Sequence, residues 1–195
     1  MIRIITELCS IIVDFFIREK IFPEEEREIY QYGFELCVSS VINIVMVLAI
    51  GVISGNFWES VIFYIVFCFT RLHTGGFHAP TYLLCKISFV SVFLAILAMD
   101  YLLSDIDERC WFAFYIFSLI IVCRFAPVEN HNKPLTNREK KRSKIISIIE
   151  MAFWLTVMIL MFSFGCPLYH TVSLTLFFVA DLMLLGKFCE RRRKT

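Results

Sequence analysis

Residues 63–98 read FYIVFCFTRLHTGGFHAPTYLLCKISFVSVFLAILA, and their pattern decides the fold. Two apolar runs flank a short polar knot that holds His73, Gly75, Gly76, His78 and Pro80. Apolar runs of this kind, extended to about 16–22 residues, match the length of a helix that crosses a ~30 Å hydrocarbon core. The Gly-Gly pair and the proline break helical continuity between them. The stretch therefore reads as two membrane-crossing helices joined at a turn.

The same pattern extends in both directions. The chain has 195 residues, of which 58% are hydrophobic, and a mean hydropathy of +0.72. A soluble domain is typically about 45–50% apolar. The excess gathers into blocks, which predicts one all-α, polytopic membrane domain over residues 1–195. Six spans are expected, at about 34–54, 57–72, 82–103, 110–124, 145–164 and 168–188. Ahead of them, Ile4, Ile5, Leu8, Ile11, Ile12, Phe15 and Phe16 recur at helical spacing, while Arg3, Glu7, Asp14 and Arg18 avoid their face. That makes residues 1–20 an amphipathic helix suited to the membrane interface. No secretory signal peptide is expected, because charges interrupt this first apolar run and no small-residue cleavage site follows.

Charge position sets the orientation. With the N-terminus inside, every lysine and arginine except Arg109 falls on the inner side. Both termini and the 71–85 stretch are then cytoplasmic. The 138–144 run, REKKRSK, is a topology determinant in contact with anionic lipid, or a docking surface for an acidic segment carried by Lys140, Lys141 and Arg142. Acids within or at the edges of the spans include Glu35, near the inner end of the first, and Asp181, deeper in the sixth; either could accept a hydrogen bond from an imidazole.

The eight cysteines include no C-x-x-C pair, and most lie in apolar runs as small hydrophobes. Cys85 differs, because His78 is seven residues away. A thiolate is the reactive form and histidine its usual base near neutral pH. Seven residues of unbroken helix would hold the two about 10.5 Å apart. Pro80 disfavours helix at Ala79 and suits the first turn of a helix that starts there. His78 then sits on a loop able to fold back on Cys85, in the first turns of the third span. Gly75 and Gly76 permit a tight turn and a close backbone approach to a substrate carbonyl. Other readings stand beside this one: His78 as an interfacial polar residue with Cys85 in the core, a zinc site from His73, His78 and Cys85 with Cys68, or a non-enzymatic transporter or scaffold.

Two motifs carry a resemblance. Arg71, Gly75, Gly76, His78, Ala79 and Cys85 form the first; residues 125–135, FAPVENHNKPL, ahead of the basic run, form the second. Together they resemble the AgrB family, the accessory gene regulator B proteins of Gram-positive quorum sensing. The resemblance implies a membrane cysteine endopeptidase that removes the C-terminal tail of an AgrD-type propeptide. It implies His78 and Cys85 as the catalytic pair, Arg71, Gly75 and Gly76 in support, a thiolactone or lactone product, and a homodimer in the lipid bilayer. No cofactor, metal or nucleic-acid partner is expected. Glu35 and Asp181 remain the two acids considered for a third member.

Overall fold

The computed structural model describes residues 2–76, 82–128 and 136–194. Among these residues the regular structure is helical: α1 (Ile2–Arg18), α2 (Arg27–Ser54), α3 (Phe57–Thr74), α4 (Tyr82–Leu102), α5 (Glu108–Phe125), α6 (Asn137–Ser163) and α7 (Tyr169–Lys194), with one 3-10 turn at Glu24–Glu26. The all-α expectation is met.

The helix from Arg27 to Ser54, with the turn before it, and α4, α6 and α7 contain stretches long and apolar enough to cross a membrane. The sequence reading expected six spans. The second and fourth correspond in position to α3 and α5, each of 18 residues. Glu59 and Arg71 lie within α3, and Glu108, Arg109 and Arg124 within α5, which lowers the apolar length of each.

Other boundaries moved for local reasons. α2 begins at Arg27, well ahead of its apolar core. The basic run is helical: Thr136 caps α6 by accepting from the Glu139 N–H, and Glu139 returns a bond from the Thr136 N–H, a reciprocal capping box. Asp107 caps α5 through the Arg109 N–H at 2.8 Å.

The core surrounds α7, which packs on α3, α4, α5 and α6. Val172, Leu174, Leu176, Val179, Ala180 and Met183 are fully buried along it. Polar ties cross between helices where no water competes. Tyr115 Oη donates to the Met151 carbonyl at 2.8 Å, and Trp154 Nε1 donates to Thr70 Oγ1 at 3.1 Å. In a bundle with apolar surroundings, such bonds fix helix register. α2, by contrast, exposes Val41, Val45, Val52 and Ile53.

α1 lies against α2. Cys9 and Val13 are buried, Phe16 stacks near Phe34, and Arg27 bonds both Asp14 and Ser10. Leu8, Ile11 and Phe15 remain exposed. The amphipathic helix thus docks by one edge and keeps an apolar surface facing outward.

Candidate active site

The 71–85 stretch begins in the last turn of α3. Arg71 is partly buried there, its guanidinium 5.5 Å from the centre of the Phe67 ring. The helix ends at Gly75, whose N–H donates to the Arg71 carbonyl at 3.2 Å. Gly75 and Gly76 both adopt positive φ, 68° and 131°, a region that favours glycine.

Their glycine identity also has a packing cause. Gly75 pairs with Val128 in a parallel β-bridge, and the Val128 N–H donates to the Thr74 carbonyl at 2.9 Å. A Cβ on Gly75 would overlap the Val128 carbonyl oxygen. A Cβ on Gly76 would lie 3.2 Å from an Arg71 guanidinium nitrogen and 3.4 Å from the Leu182 carbonyl oxygen. The turn is thus built from two motifs far apart in sequence, joined through backbone. Within the turn the Gly75 N–H is taken up by the Arg71 carbonyl.

Cys85 lies in the first turn of α4 and is exposed. It stands at the N-terminal end of that helix, the positive end of the helix dipole. Arg71 and Cys85 are close enough to interact electrostatically. The proposed partner of Cys85, His78, lies outside the described residues.

The two acids considered as third members occupy different places. Glu35, on α2, accepts from Gln31 Nε2 at 3.3 Å and acts electrostatically on Cys9 of α1. Asp181, on α7, adjoins Leu182, which packs beside Gly76. Lys140, Lys141 and Arg142 lie in the first turns of α6, with Lys141 and Arg142 exposed.

Sequence reasoning missed Glu150 as a partner for this region. His73 Nδ1 lies 2.6 Å from Glu150 Oε1, across the α3–α6 seam. The sequence signal was an acid among the apolar residues of α6, with no hint of which helix it faced. Among the described residues no three His, Cys, Asp or Glu side chains gather in a way that could hold a metal ion. His73, one of the four zinc ligands considered, is engaged with Glu150 instead.

The opposite end of the bundle carries a second histidine pair. His170 Nδ1 is 3.1 Å from Asp100 Oδ1, and the His170 ring stacks on Trp111 with centroids 4.1 Å apart. A cavity of about 270 Å³ opens beside them, lined by Glu108, Trp111, Phe162 and Tyr169 among others.

Comparison with known proteins bears on the whole chain. Residues 9–185 match the family model described as Accessory gene regulator B. An AgrB-like protein 2 of Clostridium perfringens (strain 13) is 28% identical over 168 residues, covering 80% of this chain and 78% of the relative. The accessory gene regulator protein B of Staphylococcus aureus (strain bovine RF122) is 28% identical over 160 residues, covering 81% and 76%. An AgrB-like protein 1 of C. perfringens is 24% identical over 180 residues, covering 90% and 93%. No solved structure matches the chain. With both motifs joined at one turn and the match running nearly end to end, the chain belongs to the accessory gene regulator B family.

Proposed function

We propose that this multi-pass membrane protein is a cysteine endopeptidase that cuts the C-terminal tail from an AgrD-type propeptide. The observation that carries this reading is the Gly75–Val128 bridge. It ties the turn before His78 to the Ala-Pro motif, beside an arginine in electrostatic reach of an exposed cysteine. A site of this kind needs a nucleophile at a helix start, a base on a constrained loop and a nearby positive charge.

His78 takes the proton from Cys85 Sγ. The thiolate attacks the scissile carbonyl and forms a tetrahedral oxyanion. The C–N bond breaks, His78 returns the proton to the leaving amine, and the tail departs. A thioester to Cys85 remains. A Cys thiol or Ser hydroxyl within the propeptide then attacks that carbonyl, its proton passing to His78. The C–S bond to Cys85 breaks and a thiolactone or lactone closes. One acyl bond replaces another, so no nucleotide is consumed. Water must be kept from the thioester for the ring to close.

Six crossings, with both termini and the site at the cytoplasmic face, suit this chemistry and the distribution of lysine and arginine. The basic turns of α6 hold the acidic tail of the substrate, and α1 gathers its amphipathic leader. A homodimer is the proposed assembly.

The test is co-expression with a propeptide and measurement of tail release by wild type, Cys85→Ala and His78→Ala. Processing is expected to cease in both variants. Wild-type rates in folded variants would end the reading.

A further inference from the structure

His73 and Glu150 are 77 residues apart in sequence and bonded in the fold. His73 occupies the last turn of α3, two residues before Gly75. Glu150 lies well inside α6. Only 26% and 15% of their side chains are exposed. A carboxylate in such surroundings is costly unless paired. One proton is shared between Nδ1 and Oε1 at this distance, so each side chain satisfies the other. Oε2 of Glu150 is buried without a hydrogen-bond partner among the described residues.

Placement gives the pair its meaning. One turn earlier on α3, Thr70 accepts from Trp154, four residues along α6 from Glu150. On the other side of His73, the Thr74 carbonyl accepts from Val128. The pair therefore ties α3 to α6 where the chain leaves the helix for the Gly75-Gly76 turn and, two residues beyond Gly76, His78. Trp154, Thr70 and the surrounding apolar side chains already hold the seam. A hydrogen-bonded pair so near the turn adds a directional constraint that apolar packing does not supply.

We propose that His73 and Glu150 are a positioning pair: the carboxylate holds the imidazole, and through it the end of α3 and the Gly75–Gly76 turn, on which catalysis by His78 and Cys85 depends. The inference rests on the endopeptidase reading. Neither residue touches the reacting atoms in this role. A displacement of about 1 Å at a reacting group can cost on the order of 100-fold in rate.

The test uses the full chain in lipid nanodiscs, comparing wild type with H73Q, E150Q, H73Q/E150Q, H78A and C85A. Two readouts are taken. One is kcat and KM on a synthetic AgrD-type propeptide with an internal cysteine and an acidic tail. The other, which needs no substrate, is the rate of iodoacetamide alkylation at Cys85 against pH, followed by peptide mass spectrometry. H73Q and E150Q are expected to lower kcat about 10- to 100-fold, with KM within about threefold of wild type. Both should slow Cys85 alkylation near pH 7 as H78A does, with thermal midpoints held. The double variant should be no slower than the worse single variant, as for two members of one unit.

Wild-type kcat and alkylation in folded H73Q and E150Q, with C85A inactive, would overturn the pairing role alone. Wild-type processing by C85A would overturn the endopeptidase reading and the pairing role with it. If E150Q does not accumulate, the double variant, which leaves no lone charge, carries the test. Failure of all three pair variants to fold would make the pair a stability element and overturn the proposal.

Discussion

The Val128 carbonyl oxygen occupies the place where a Cβ on Gly75 would be. That one relationship joins two sequence motifs more than 50 residues apart, and it makes the glycine a packing requirement. Gly75→Ala should therefore separate the turn from Val128. Positive φ alone costs a non-glycine residue about 1–2 kcal/mol, and the overlap adds to this. The expected outcome is a lower thermal midpoint together with loss of propeptide cleavage. Cleavage at the wild-type rate by Gly75→Ala would refute the turn's role.

Trp154 and Thr70 offer a cleaner energetic measurement. Their hydrogen bond is buried, 3.1 Å long, and sits one turn from His73. Trp154→Phe and Thr70→Val should each destabilise the protein by about 1 kcal/mol, near the range of such bonds inside membranes. Because each substitution removes the same bond, a double-mutant cycle should show clear coupling. Strictly additive losses would mean that the bond contributes nothing.

Lys140, Lys141 and Arg142 test the tail-binding role. Replacing the three with Ala should raise KM for a propeptide with an acidic tail several-fold and leave kcat unchanged. The effect should shrink in high salt, since exposed charges are screened over about 8 Å at physiological ionic strength. A fall in kcat at constant KM would contradict binding and point to the reaction itself.

Cys9 and Cys85 should differ in reactivity. Burial, and secondarily the negative charge of Glu35, push the Cys9 thiol above its ordinary value. A raised thiol holds less thiolate at any given pH, so Cys9 should alkylate slowly and keep accelerating above pH 9. Exposed Cys85 at the start of α4 should label first near pH 7. Equal rates at both positions near pH 7 would count against this assignment.

Local rules read much of this molecule. Apolar run length located the helices, and the Gly75–Gly76 pair marked a turn that the structure holds at positive φ. Helix chemistry put Cys85 in the first turn of α4. The Thr136-to-Glu139 capping box is a local signal too, and it carries α6 back through the basic run, ahead of the apolar span expected at about 145–164. What stayed hidden depends on contacts between distant residues. Nothing in a single sequence pairs His73 with Glu150 or brings Val128 beside Gly75, because those matches are set by how α3, α5 and α6 pack together. The charges at the ends of α3 and α5 have a local cause that is visible in sequence, and they leave those helices shorter in apolar length than the spans expected of them.

The helices differ in reach, and this shapes the entrance to the turn. At about 1.5 Å per residue, α3 is roughly 27 Å long, whereas α6 is about 40 Å. α3 stops near the level of Glu150, while α6 continues past it to Asn137. Arg142 therefore stands about 12 Å further along α6 than Glu150. Gly75 and Gly76 lie at the foot of a wall whose upper courses are basic. An extended peptide covers about 3.3 Å per residue. On the proposed function, a chain gripped at the top of that wall would meet its foot about four residues later, which would set how far the cut falls from the charged end.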